Sequence, residues 1–343
     1  MTNSRDAADE PSGAGRGAVT ITDVANAAGV SASTVSYVIT GKRTISAATR
    51  RRVEETIRTL GYRRRAGFPT TRAGVLAVAV PLHGDRHPGV EMEFFAAAAG
   101  AARELGFDLL LVTDDEGTSG LHRVTSAALA DAVIVLDAGD DDPRVPVLLA
   151  SGRPAVLVGA PGRHHGLASV TLDCTPAGQA CATHLADLGH RSIAHLEPSG
   201  RRPGYLADFA EGFRITAVRR GVRVVSRPCA PAAEDVGGCL DDVLTAGEAT
   251  GLVVHDEAAL PLVLAALRDR GLRVPADVSV VAVCSDTVAR HQRIPPAAVV
   301  IPARELGALA VELAVRRLDG STAGPESVTP AFVPGETTAA AVR

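Results

Sequence analysis

Apolar positions at the start of the chain recur at helical spacing. Ile21, Val24, Ala25 and Ala28 fall at i, i+3, i+4 and i+7, which gives a first helix one apolar face. Thr20, with Asp23 three residues on, offers that helix an N-cap and an acid where the helix dipole favours one; Gly29 is placed to end it. A second helix is expected from the N-cap candidate Ser31. It carries Val35, Val38 and Ile39 on its apolar side and Ser33, Tyr37 and Thr40 on the other, and stops at Gly41. A third starts at Ser46, buries Val53, Ile57 and Leu60, and closes at Gly61. Two short helices joined by a tight Gly29-Val30 turn and propped by a third form an all-α helix-turn-helix head.

Past residue 74 the period changes. Short apolar runs over 75–80, 109–112, 132–136, 155–158, 193–196, 252–254 and 278–283 read as buried strands, and 91–105, 176–188, 205–220 and 257–270 have helical periodicity. Strands alternating with helices predict α/β architecture, with parallel sheets covered on both faces. The stretch is too long for one compact sheet of ordinary size, so two lobes are expected. A ligand would then lie between them at the carboxyl ends of the strands. The expected organisation is a tail over 1–17, the head over 18–62, a linker over 63–74 and the core over 75–343.

Charge sharpens this division. The formal net charge of −4 argues by itself against a nucleic-acid partner. Residues 16–72, however, hold eleven Lys and Arg against three acids, whereas 73–343 hold 23 Arg against 33 acids. An anionic partner is therefore expected for the head alone; compositional drift is the other reading. The second helix has no acid from Ser31 to Thr40, so its hydroxyls and Tyr37 can enter a major groove without repulsion and bond base edges. Lys42, Arg43, Arg50, Arg51, Arg52 and Arg58 can neutralise flanking phosphates. A small three-helix bundle used for protein contacts is the alternative.

Other function classes lose support. Trp is absent and aromatics make up 3%, which excludes an aromatic-dense binding surface. The polar segment 1–16 has no apolar run of signal-peptide type, and no stretch approaches the roughly 20 apolar residues of a membrane span. Five widely spaced cysteines without a Cys-x-x-Cys pair suit reduced thiols in the cytoplasm. Cys181 and His184 could share a helix face, but two ligands do not make a metal site, and buried small residues are the simpler account. Gly-x-Ser-x-Gly, His-Glu-x-x-His and phosphate-loop motifs are missing. Gly13, Gly15 and Gly17 follow no strand, and His164 and His165 sit in a Pro/Gly-rich turn. Neither enzyme activity, nor a cofactor, nor a metal is expected.

The run Val-Thr-Ile-Thr-Asp-Val-Ala-Asn-Ala-Ala-Gly-Val-Ser-Ala-Ser-Thr-Val-Ser-Tyr-Val-Ile-Thr-Gly-Lys over 19–42, continued by 45–50 and by Leu60-Gly61-Tyr62, resembles the head of the LacI/GalR transcription regulators. The resemblance implies base reading by Ala32, Ser33 and Tyr37, and phosphate anchoring by Thr20, Ser31, Thr34, Thr44, Thr49 and Tyr62, with Arg50 among the basic contacts. Many members carry Arg at the position of Tyr37; Arg grips guanine bidentately, whereas Tyr offers one hydroxyl and a ring, so operator preference should differ. In the linker, the usual Pro-Asn and wedging Leu are replaced by Arg63-Arg64-Arg65-Ala66-Gly67-Phe68-Pro69. Gly67 and Pro69 disfavour a hinge helix and favour a flexible basic tether, while Phe68 is the one bulky side chain that could wedge a minor groove.

The core resembles the same family at Asp173, Gly178, 184–185, 188–191, 211–213, 271–279 and 305–307. This implies a type I periplasmic-binding-protein-like sensor and dimerisation core. Asp173 is the position whose carboxylate would accept paired hydroxyls from a sugar, a helix cap being its other reading. Phe209 stands where an Arg is common, His255 replaces the Asn before Asp256, and Cys284 replaces an acid. Asp173, Phe209, His255, Asp256 and Cys284 are thus the expected effector contacts, in a pocket with fewer charges than usual. The expected protein is a DNA-binding regulator, a repressor in the first instance, bound as a homodimer to double-stranded operator DNA, with a tetramer as the larger assembly. It would be controlled by a sugar or related metabolite, with no membrane partner. A cytosolic sensor or carrier that no longer binds DNA is the alternative.

Overall fold

The computed structural model describes residues 21–40, 45–60, 73–80, 88–113, 118–139, 141–159, 166–199, 204–246, 248–322 and 324–341. The chain divides into two compact units, Met1–Thr71 and Arg72–Arg343.

In the first unit, α1 (Ile21–Ala28), α2 (Ala32–Thr40) and α3 (Ala47–Leu60) surround a small core of Val24, Ala25, Ala28, Val35 and Val53, with Ile21, Val38 and Ile57 packed on it. The expected apolar faces pack here except at Leu60, which is 36% exposed at the end of α3 rather than buried, while the side chain of Ile39 lies outside the described residues. Gly29 takes φ +63°, which lets Val30 N donate to Ala25 O at 3.0 Å and close α1 in a left-handed cap. Ser31 and Ser46 cap the next two helices: Ser31 Oγ accepts from Thr34 N and Ser46 Oγ from Thr49 N, each at 3.2 Å. The cap position Thr20 and the stops at Gly41 and Gly61 lie outside the described residues.

The second unit is built on two six-stranded sheets. The first lobe runs β1 (Val75–Val80), α4 (Pro88–Glu104), β2 (Asp108–Thr113), α5 (Ser119–Ser126), β3 (Ala132–Ala138), α6 (Arg144–Ser151), β4 (Ala155–Gly159) and β5 (Ala168–Leu172). The chain then crosses to α7 (Thr175–Asp187), β6 (Ser192–Pro198), α8 (Gly204–Arg219), β7 (Arg223–Cys229), α9 (Ala233–Asp241), β8 (Gly251–Val254), α10 (Leu260–Asp269), β9 (Ser279–Ser285), α11 (Asp286–His291) and β10 (Ala297–Ile301). It returns through α12 (Ala303–Leu318) to β11 (Glu326–Val328) in the first sheet and crosses a third time to β12 (Ala331–Val333) in the second. The orders are β11-β5-β4-β3-β1-β2 and β12-β10-β9-β8-β6-β7, parallel throughout except where β12 meets β10.

Period-two alternation with both faces covered explains the continuous apolar strands. Leu76, Val78 and Val80 face a core shared with α4 and α12, while Ala77 and Ala79 face the layer holding Leu121 and Leu148 of α5 and α6. In the second lobe Val281 and Val283 face the α7–α8 side, and Val280, Ala282 and Cys284 the α9–α10 side. The α7–α8 crossing is set by two glycines: a Cβ on Gly178 would lie 2.2 Å from Phe209 O, and one on Gly212 2.4 Å from Thr175 O. Among the described residues, no helix is long and apolar enough to cross a membrane.

Candidate nucleic-acid interface and ligand cavity

On α2 the apolar side is committed to the head's core, with Val35 fully buried. Ser31, Ala32 and Ser33 are exposed, and Thr34 and Tyr37 half-buried. The N-terminal hydroxyls are organised rather than scattered: Ser31 Oγ lies 2.8 Å from both Ser33 Oγ and Thr34 Oγ1. On α3, Thr49 is half-buried, with its hydroxyl 2.8 Å from Ser46 Oγ, while Arg50, Arg51 and Arg52 project outward. Hydroxyls at one helix start and guanidinium groups on the neighbouring helix are groups that bond base edges and phosphates. Thr20, Thr44, Tyr62, Lys42, Arg43 and the linker 63–72, with Phe68, lie outside the described residues, as does the side chain of Thr40.

A cavity lies at the carboxyl ends of the strands of both sheets, where ligands bind in open α/β folds. Leu136 and Asp137 lie near the end of β3, Val158 and Gly159 end β4, Leu172 ends β5, Pro198 ends β6 with Ser199 after it, and His255 follows β8. α4 adds Val90, Glu91 and Phe94, and α8 adds Tyr205 and Leu206. The cavity volume is about 120 Å³.

Of the five residues expected to meet an effector, His255 lines this cavity. Phe209 stands behind it: its ring is edge-on to His255 at 4.7 Å and stacks on Phe213 at 6.1 Å. The other three are outside the lining. Asp173 turns its Oδ1 onto Thr175 N at 3.1 Å at the start of α7, the local turn-forming alternative to ligand binding. Asp256 does the same with Ala258 N at 2.9 Å. Cys284 packs on the α9–α10 side of its sheet, and burial, with Glu257 nearby, pushes its thiol up to about 12.

His255 is held by a buried relay. Its Nδ1 lies 3.1 Å from His195 Nε2, and His195 Nδ1 lies 3.5 Å from Glu197 Oε1, so the carboxylate favours the proton on His195 Nδ1. Asp137 has φ +60°, in the left-handed region that is uncommon for non-glycine residues but that Asp enters more readily than most, at a bulge between Leu136 and Ala138. Buried Arg144, paired with Asp142 at 2.6 Å, donates to Leu136 O at 3.0 Å and fixes that strand end. Glu91, Asp137, Ser199 and Tyr205 were not singled out in the sequence; the usable signal was their place just past a strand end or in the first turn of a helix.

Two carboxylates join the lobes beside the cavity. Glu257 accepts from Gly89 N at 2.8 Å and Val90 N at 3.2 Å, the start of α4, and from Ser285 N of its own lobe at 2.8 Å. Reciprocally, Glu93 of α4 accepts from Thr287 N at 2.7 Å, at the start of α11.

A cored and capped helix-turn-helix whose second helix has no acid, in one chain with a two-lobed α/β core around a cleft cavity, defines a DNA-binding transcription regulator with a ligand-binding core. Comparison with known proteins agrees. Residues 20–65 match the model of bacterial regulatory proteins of the lacI family, and 182–338 that of the periplasmic binding protein-like domain. The HTH-type transcriptional regulator CelR of Thermobifida fusca is 31% identical over 335 residues, covering 89% of this chain and 94% of its own. Catabolite control protein A of Priestia megaterium is 27% identical over the same shares. A structure of a CelR–cellobiose complex superposes with a TM-score of 0.67 at 25% identity, covering 93% of this chain and 99% of that one. The operator-bound lac repressor dimer shares the fold, with a TM-score of 0.76. The chain belongs to the LacI family of bacterial regulatory proteins.

Proposed function

We propose that this regulator is a cytoplasmic repressor, acting as a homodimer on a near-palindromic operator, released or engaged by a sugar or related metabolite bound between the lobes. In this reading residues 18–62 bind DNA, 63–74 tether the head and 75–343 sense the effector. Ala32, Ser33 and Tyr37 read bases, and Thr20, Ser31, Thr34, Thr44, Thr49, Arg50 and Tyr62 hold phosphates. The observation that carries it is the outer face of α2: hydroxyls and a phenol without a single acid, on a helix whose other face is locked into a core. His255, backed by Phe209, is the effector contact among the expected positions, joined by Glu91, Asp137, Ser199 and Tyr205. A ligand that fits one closure state of the lobes better than another shifts the population, and by linkage operator DNA alters ligand affinity by the same factor.

Footprinting on the DNA upstream of the protein's own gene tests this. The expected result is a protected tract of two related half-sites, lost with Tyr37→Ala and Arg50→Ala together. Uniform, sequence-independent protection, or none at low salt, would overturn it. Sedimentation of the free protein should give twice the 35.2 kDa chain mass.

A further inference from the structure

Two thiols that neither the head nor the cavity uses are in contact with each other. Cys229 ends β7, the edge strand of the second sheet, and is buried in the core beneath α9. Cys239, near the end of α9, is half-buried and packs on the same core. Both sulfurs lie against the backbone at the end of the strand: Cys239 Sγ donates to Pro228 O at 3.2 Å, and Cys229 Sγ donates to Ala230 O at 3.8 Å. The two side chains also hydrogen-bond to one another. The remaining cysteines are placed differently. Cys174 caps α7 and Cys181 stands two turns further along it, roughly 10 Å away by the helical rise, and Cys284 lies in β9; all three are buried.

We propose that Cys229 and Cys239 form a dithiol site that a peroxide converts into an intramolecular disulfide, with Cys239 oxidised first. The sulfur of Cys239 attacks one peroxide oxygen and the O–O bond breaks; the departing hydroxide takes up the thiol proton as water, and Cys239 is left as a sulfenic acid. The sulfur of Cys229 then displaces hydroxide from Cys239, which carries off the second proton as water. The two thiols together lose two electrons and two protons, and one peroxide becomes two waters. Burial sets the order. Desolvation, with Cys239, Asp235 and Asp256 nearby, pushes the Cys229 thiol up to about 12, so it is protonated at neutral pH and hidden from a peroxide, whereas solvent reaches Cys239. Sulfurs already in hydrogen-bond contact have only to close to about 2.05 Å, so the cross-link competes with a second oxidation of Cys239. In a reducing compartment such a bond lasts only as long as the oxidant, which is the behaviour of a sensing disulfide rather than a structural one.

Thiol titration and mass spectrometry on the full chain test this. The reduced protein is treated with hydrogen peroxide, its remaining thiols are alkylated, and cleavage after Glu234 separates the two cysteines. The expected result is a fall from five free thiols to three, with Cys229 and Cys239 in one cross-linked pair that dithiothreitol opens. In Cys229→Ala, dimedone should label Cys239 as its sulfenic acid and no disulfide should form. In Cys239→Ser, Cys229 should stay reduced. Oxidation of Cys174, Cys181 or Cys284 ahead of the pair, cross-links between chains, sulfinic acid at Cys239 without the cross-link, or five free thiols after treatment would overturn the proposal. The unsubstituted chain alone separates these outcomes, so a variant that fails to fold leaves the test intact.

Discussion

At the scale of single residues, the proposed base-reading role of Tyr37 sets how much sequence information α2 would carry. One phenol cannot form the paired bond by which Arg holds guanine, so its share of specificity is smaller and rests on one hydroxyl and ring contacts. Tyr37→Ala is expected to weaken binding to the cognate site by about 1–3 kcal/mol while leaving affinity for unrelated DNA unchanged, as read by competition in fluorescence anisotropy. A titratable residue in the core sets a different expectation. His190 is buried between Thr250, Ser279 and the carbonyl of Ala339, and burial lowers its pKa from 6.5. Its unfolded form takes up a proton first as pH falls, so its contribution to stability is complete above about 6.5 and is lost below that value towards the lowered native one. His184 is shifted the same way and adds to the effect. The melting temperature should fall between pH 7 and pH 5.5, and fall less in His190→Gln. Residue roles were only partly legible in the sequence. Position-by-position resemblance pointed to His255, but could not show that Asp173 and Asp256 spend an oxygen on their own turns, because such short-range bonds compete with ligands only once the backbone is folded.

At the scale of elements, the contacts of α4 tie the two lobes together. Glu257 bonds three backbone amides, two of them in the other lobe; in Glu257→Gln the amide nitrogen cannot accept, so at least one buried donor loses its partner. Thermal unfolding should show a loss of about 1–3 kcal/mol. Gly178→Ala should cost a similar amount or more by forcing α7 away from α8, whereas Gly238→Ala, which meets nothing within 4 Å, should be tolerated. Burial on both sides made several strands legible in the sequence: β1 spans the expected 75–80, and β6, β8 and β9 differ from expectation by one or two residues at one or both ends, whereas β5 and β10, equally buried, were not expected. β7 escaped notice because it is an edge strand with Arg223, Ser226, Arg227 and Pro228 exposed, which leaves no apolar run. β11 and β12 are three residues each, too short to show any period. α9 hides its helical face behind Gly237, Gly238 and the acids of its first turn, with only Val236 and Leu240 buried.

At the scale of the whole molecule, the uneven charge is the property that organises function. An acidic core discourages DNA from most of the surface, while the basic segment 16–72 attracts it. Each phosphate contact releases counterions, so replacing Arg50, Arg51 and Arg52 by Ala should weaken binding to all sequences alike and reduce the slope of log K against log salt by up to about 0.9 per lost contact. The central claim, that this LacI-family chain recognises a particular DNA sequence through its head, is tested most directly by anisotropy competition at 0.15 M salt between a duplex from its own upstream region and a scrambled duplex of equal length and composition. The account predicts a preference for the upstream duplex of about a thousandfold or more. Equal affinities for the two duplexes would contradict it.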